Sequence, residues 1–157
     1  MTTMSDPYFK LKPLPPTPAD ECCSCAELNA AYLAHKLGDN PLYCLTCNGE
    51  VAPERIGFDE RTTEAVARWN DVYRSIYRLW LDSGSYDAWA EAELLSKDSD
   101  VNRLGMLARQ ALAAYLPTSY LWFWEEERPT ACPVCGSSDL SSRGGPRRLC
   151  EKCGVLL

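Results

Sequence analysis

The chain has 157 residues, a formal net charge of −6 and 46% hydrophobic residues. That length suits one ordinary domain, or a small core flanked by metal-stapled modules, and the apolar content excludes wholesale disorder. The acidic balance leaves nucleic-acid binding dependent on a local basic patch, because its affinity comes from Lys and Arg neutralising phosphates.

The first residues lack a basic stretch followed by an apolar run, so no secretory signal is expected. No apolar stretch is long enough to span a bilayer. Nine cysteines without an export signal point to metal ligation rather than disulfides, and to a cytoplasmic address.

Residues 1–19 hold Pro7, Pro13, Pro15, Pro16 and Pro18, five of the chain's eleven prolines. Proline fixes φ and removes a donor, so this segment reads as an extended or disordered arm that lays Tyr8 and Phe9 on the body. Its P-x-x-P spacings also suit an aromatic groove on a partner. Residues 20–50 form a first cysteine module. Between its cysteine pairs, residues 26–37 are rich in Ala and Leu and end at Gly38, which predicts a short helix with a glycine C-cap.

Residues 51–117 read as a helical core. Over 62–81, Val66, Trp69, Tyr73, Ile76, Tyr77 and Trp80 recur at steps of three and four, the mark of one buried face. Gly84 stops that helix, and Ser85 is the predicted cap of the next, over 86–95. Asn102 is the predicted cap of a third, over 103–116, with a face of Leu104, Leu107, Ala108, Ala111, Leu112 and Tyr115. Pro117 ends it. Residues 119–124 are apolar at both parities and predict a strand buried on both faces. It leads into a second cysteine module, so 118–157 reads as a strand plus a ribbon whose hairpin tip is the Ser/Gly-rich stretch 136–146. The whole is expected to be a small α+β unit. A central core of about three helices is flanked by two four-cysteine zinc-ribbon modules, the C-terminal one with a short β-sheet.

Four Cys-x-x-C pairs carry the chemistry: Cys22/Cys25, Cys44/Cys47, Cys132/Cys135 and Cys150/Cys153. Two such turns facing each other complete a tetrahedron of thiolates, the preference of a structural zinc ion, so two zinc ions are expected. Gly136 and Gly154 follow the second cysteine of their pairs, where a knuckle needs positive φ, and Asn48 tolerates the same geometry after Cys47. Ala26 after Cys25 departs from that pattern. Cys23 is left over and is an alternative ligand to Cys22, whose spacing to Cys25 repeats the other pairs. Spacing alone also admits iron in a rubredoxin-like site, and Cys23 with a neighbouring cysteine admits a redox switch.

All-thiolate sites are closed, whereas a catalytic metal keeps an open position. The single histidine, His35, lacks the H-x-E context of a zinc deaminase. Neither a nucleophilic triad nor a phosphate-cradling glycine loop is present, so neither enzyme activity nor a small-molecule substrate is expected. Arg143, Arg147, Arg148 and Lys152 cluster near Tyr120, Trp122 and Trp124. This is a candidate partner surface, and basic groups beside aromatic platforms suit single-stranded nucleic acid. Asp139, Glu151 and the site's own net negative charge offset those cations. The preferred expectation is a non-enzymatic adaptor or inhibitor module for a protein partner; the alternative is a nucleic-acid binder.

Residues 41–157 resemble a bacterial, otherwise uncharacterised family of zinc-ribbon-containing proteins linked to nucleic-acid binding. The resemblance rests on Pro41-Leu42-Tyr43-Cys44 with Cys47, Trp69 to Trp80, Asn102-Arg103-Leu104-Gly105, Tyr120 to Trp124 and Cys132-Pro133-Val134-Cys135-Gly136. It implies zinc ribbons and a nucleic-acid role, and the proline-rich arm stands where the family carries a longer N-terminal region.

Overall fold

The strongest helical periodicity becomes α1 (Glu60–Asp82), in a computed structural model that describes residues 5–143 and 145–157. Asp59 starts it by accepting from the Thr62 N–H at 2.9 Å, and Gly84 lies just beyond its end at φ +66°. A residue without Cβ takes that left-handed turn at the least steric cost. The helix buries Val66, Trp69 and Tyr73, while Ile76, Tyr77 and Trp80 are half-buried.

The other two helices start differently from the sequence reading. Tyr86, not Ser85, precedes α2 (Asp87–Leu95), and its N–H is held at 2.8 Å by the Ser83 hydroxyl. Ser99 caps α3 (Asp100–Ala113), accepting from the Asn102 N–H at 3.3 Å. Asn102 is therefore inside the helix. Its amide donates to the carbonyls of Leu94 (2.9 Å) and Ser96 (2.8 Å), and its Oδ1 accepts from the Tyr120 hydroxyl at 2.8 Å. The inward face of α3 consists of Val101, Asn102, Gly105, Ala108 and Leu112; Leu107 and Tyr115, expected inside, are 61% and 44% exposed.

One six-stranded sheet joins the two cysteine modules. Its strands are β1 (Ala31–Leu33), β2 (Leu42–Cys44), β3 (Thr118–Leu121), β4 (Ser141–Ser142), β5 (Arg148–Cys150) and β6 (Val155–Leu156). They lie in the order β2-β1-β3-β6-β5-β4. The first module contributes the antiparallel hairpin β1–β2 and the second the antiparallel meander β4–β5–β6. Strand β3 runs parallel to a neighbour from each, pairing Tyr120 with Leu33 on one side and Val155 on the other.

The helix expected over 26–37 does not form. Residues 31–33 are instead β1, wholly buried between β2 and β3. A short apolar run buried on both faces shows no alternation, so its composition reads equally as helix. Tertiary pairing overrides the propensity of Ala and Leu.

The sheet has two faces, set by the two-residue period of strands. Leu33, Leu42, Tyr120, Trp122, Val155 and Leu157 face the helices in the main core, with Trp69 and Leu112. Tyr32, Ala34, Tyr43, Leu149 and Leu156 form a second cluster. The rings of Tyr32 and Tyr43 stack at 5.6 Å, and Lys36 Nζ lies 4.0 Å from the Tyr43 centroid. On the helix side, Trp69 Nε1 donates to the Tyr120 hydroxyl at 3.3 Å. The chain Trp69–Tyr120–Asn102 thus ties α1, β3, α3 and the end of α2 through fully buried groups, where an unmade hydrogen bond costs about 1–3 kcal/mol.

The proline-rich arm, as far as residues 5–19 describe it, lies on the body. Leu11 is fully buried, Tyr8 sits edge-on to Phe58 and donates to its carbonyl at 2.8 Å, and Thr17 donates to Glu50 at 2.9 Å. Lys10 pairs with Glu64 at 2.7 Å, and Lys12 with Asp6 and Glu54. Phe9, expected to dock with Tyr8, is 62% exposed. No helix among the described residues is long and apolar enough to cross a membrane.

His35 sits on α1's aromatic flank. Its Nδ1 is 2.8 Å from Asn70 Oδ1, while the Asn70 amide donates to the Gly38 and Asp39 carbonyls. That orients Oδ1 toward the ring, so Nδ1 carries the proton, and the buried Nε2 has no partner among the described residues. Burial lowers the pKa of His35 below its ordinary 6.5; the Asn70 bond opposes this and the Arg74 charge adds to it. A lowered folded value means that stability is full above pH 6.5 and is lost as pH falls, because the unfolded chain takes up the proton first. His35→Gln is expected to flatten that part of the Tm–pH curve between about pH 7 and 5.5. Parallel curves for the variant and the parent would refute the assignment.

Candidate metal centres

Two cysteine quartets converge. The Sγ atoms of Cys132, Cys135, Cys150 and Cys153 lie within 4.8 Å of one another, as do those of Cys23, Cys25, Cys44 and Cys47. The C-terminal quartet is the one the sequence spacing predicts. In the N-terminal one, Cys23 takes the place assigned to Cys22, whose thiol is turned toward the Thr17 carbonyl at 3.8 Å.

Backbone geometry explains the exchange. Cys22, just after a 3-10 turn at Ala19–Glu21, is extended (φ −91°, ψ 150°) and bridges to Glu50: Glu50 N donates to Glu21 O at 3.0 Å and Cys23 N to Glu50 O at 2.8 Å. Successive side chains of an extended stretch point to opposite sides, so Cys22 and Cys23 face apart, and Cys23 is the one that joins Cys25 in the quartet. A Cys22/Cys25 knuckle would need a tight turn closed by a left-handed residue, and Ala26 is not one. That alanine was the sequence signal for Cys23.

The other three pairs are knuckles of one design. The N–H of Asn48 donates to Cys44 O at 2.9 Å, that of Gly136 to Cys132 O at 2.8 Å and that of Gly154 to Cys150 O at 2.7 Å. All three residues have positive φ, at 64°, 75° and 71°. Cys44 ends β2 and Cys150 ends β5, so in both quartets a sheet strand delivers a buried thiol to the centre. Arg55 braces the irregular pair, with Nη2 donating to Cys25 O at 2.8 Å and Nη1 to Cys23 O at 3.4 Å.

The donor set fits a tetrahedral metal. Metal–sulfur bonds of about 2.3 Å place tetrahedral sulfurs about 3.8 Å apart, and Cys135 and Cys150 Sγ are 3.7 Å apart. All nine cysteines are free thiols. Proton affinities within each quartet are split. Burial raises the Cys23 thiol, but hydrogen bonds from the Cys25 N–H, Arg55 and the neighbouring thiols outweigh it and bring it down to about 6. Cys25 is pushed up to about 12, first by its bonds with Cys47 and Cys23 and then by burial. Cys135 is drawn down to about 7, chiefly by the Ser137 N–H, against an opposing burial effect. Cys153 is pushed up to about 12 by burial and by Cys135. One sulfur in each quartet ionises near neutrality and another resists as charge accumulates. A dication at the centre removes that resistance, which couples binding to proton release.

Gly49 makes the N-terminal centre possible. A Cβ there would lie 2.5 Å from Cys23 N and 2.7 Å from Cys22 C and Cys23 Cα, all backbone atoms. Gly49→Ala is therefore expected to push the 21–23 segment off and to release the N-terminal metal alone. Under mild chelator challenge the bound metal should fall from two ions per chain to one; retention of both would contradict the close approach.

The expected aromatic and basic surface does not assemble. Tyr120 and Trp122 are core residues, at 0% and 3% exposure, so neither offers a stacking platform. Trp124 is half-buried, with the Arg128 guanidinium 5.1 Å from its ring centroid. Arg147 lies over Tyr32 at 4.5 Å and donates to Asn48 Oδ1 at 2.5 Å, clasping the second module to the first. Arg143 pairs with Glu151 at 2.5 Å. Arg148 and Lys152 are exposed.

No family model matches the chain, and neither does any curated protein or solved structure. Its fold and site define a small α+β protein with a helical core and two four-cysteine clusters able to hold two metal ions.

Proposed function

We propose that this chain is a non-enzymatic zinc protein that serves as an adaptor or inhibitor module for a basic protein partner. Two closed thiolate quartets riveting opposite halves of one sheet carry this reading. Four thiolates leave a zinc ion no open position and make it a poor Lewis acid, so the ions act as staples. Each staple contributes on the order of 10–16 kcal/mol in small zinc peptides, enough to hold short strands that could not stand alone. What such a scaffold offers a partner is a rigid surface, and the formal charge of −6 favours cationic ones through steering.

The resemblance to nucleic-acid-linked zinc-ribbon proteins gives the rival reading, but burial of Tyr120 and Trp122 and the inward engagement of Arg147 weigh against it. Affinity capture from native lysate, with and without nuclease, tests the choice. The expected result is a stoichiometric protein partner that survives nuclease. Retention that disappears with nuclease, or the capture of nothing, would overturn the proposal.

A further inference from the structure

A cleft of about 330 Å³ lies between the end of α1, the first turns of α2 and the segment after β3, lined by Trp80, Leu81, Asp87, Ala88, Glu91 and Glu125. Trp80 is held edge-on against Phe123 at 5.0 Å, so the aromatic wall is fixed in place. Leu81 is 52% exposed beside it. Three carboxylates share the remaining wall.

Those carboxylates lack a counter-charge. Between Arg78 and Lys97 the sequence has no basic residue, and none occurs from 118 to 127. Among the described residues, Asp87, Glu91 and Glu125 make no ion pair, although ion pairs form elsewhere on the surface. Glu125 instead lies against Glu91, and that neighbouring carboxyl, with slight desolvation, raises its own above the ordinary value. Like charges set side by side without a cation cost free energy that an incoming cation recovers.

The cation is not a metal ion. Among the described residues only the two cysteine quartets bring three or more ligand atoms within 4.8 Å. A tryptophan wall beside spaced carboxylates suits a guanidinium or ammonium on a flexible stem, which stacks on the ring and pairs with oxygens at its edge. Nucleic acid is repelled here.

We infer that this cleft receives an arginine or lysine side chain from a basic segment of a protein partner. The inference rests on the protein-partner reading and assigns the surface that reading needs. Its test uses the full zinc-loaded chain and a fluorescein-labelled helical peptide with arginine on one face and leucine on the other. Glu91→Gln with Glu125→Gln is expected to weaken binding at least about tenfold. Glu60→Gln with Asp98→Asn removes the same charge near the far ends of α1 and α2 and is expected to change affinity less than about twofold. Equal losses in the two pairs, or no loss in the first, would overturn the cleft. Lysate capture with the same variants separates the two claims. If the cleft variant keeps the partner, the adaptor reading stands and this surface falls; if the parent captures nothing, the adaptor reading falls while the peptide titration still judges the cleft.

Discussion

Cys23→Ser is expected to reduce the bound metal from two ions per chain to one, whereas Cys22→Ser leaves both. The two residues are adjacent, equally conservative to replace, and separated only by the side to which an extended backbone turns them. Cys23 joins Cys25, Cys44 and Cys47 within 4.8 Å, while Cys22 faces Thr17. A thiolate zinc centre contributes on the order of 10–16 kcal/mol, against a total domain stability of about 5–15 kcal/mol. Losing one ligand should therefore unfold the hairpin β1–β2 with its flanking segments. Because β1 pairs with β3 and β3 pairs with β6, the loss should also lower the unfolding temperature of the second half. Elemental analysis with native mass spectrometry checks the stoichiometry, and thermal unfolding checks the coupling. Metal loss in the Cys22 variant would reassign the ligand.

Cysteine spacing and helical periodicity made most of the architecture legible. The knuckles at Cys44, Cys132 and Cys150 follow from Asn48, Gly136 and Gly154, because left-handed geometry limits which residue can stand there. Helix α1 was readable because Val66, Trp69 and Tyr73 repeat every three or four residues, and its charged positions fall outside that stripe. What failed to show was whatever depends on long-range pairing. Strand β1 is three residues buried on both faces, and only its neighbours β2 and β3 distinguish it from a helix turn. Asn102 reads as a cap because asparagine satisfies a helix end well; the structure uses both ends of its amide in the core, while Ser99 caps. The strand expected over 119–124 ends at Leu121, so Tyr120 lies in β3 and Trp122 just past its end; both sit among apolar residues of either parity, so sequence alone did not separate a binding platform from core. The union of both modules into one sheet was likewise invisible, since parallel neighbours of β3 come from chain segments far apart.

Gly105→Ala should be among the most damaging single changes outside the metal centres. Helix propensity alone argues the opposite, because alanine in a helix interior is favoured over glycine by about 1 kcal/mol. Sterics reverse the sign. A Cβ at this position would lie 2.5 Å from Tyr120 Cζ, 2.7 Å from Trp69 Nε1 and 2.8 Å from the Tyr120 hydroxyl. Neither ring can yield cheaply, since both are fully buried and packed against each other edge to face at 5.5 Å. Either α3 must lift away, or the rings must shift and break the Trp69–Tyr120–Asn102 hydrogen-bond chain. Overpacking costs about 1–3 kcal/mol, and an unpaired buried polar group about as much again. The net expectation is a loss of about 1–5 kcal/mol despite the gain in propensity. Gly38→Ala is the control: its Cβ would meet nothing within 4 Å, and stability should barely change. Denaturant unfolding of the metal-loaded proteins measures both, and a neutral Gly105→Ala would mean that α3 does not press on the sheet where Tyr120 and Trp69 meet.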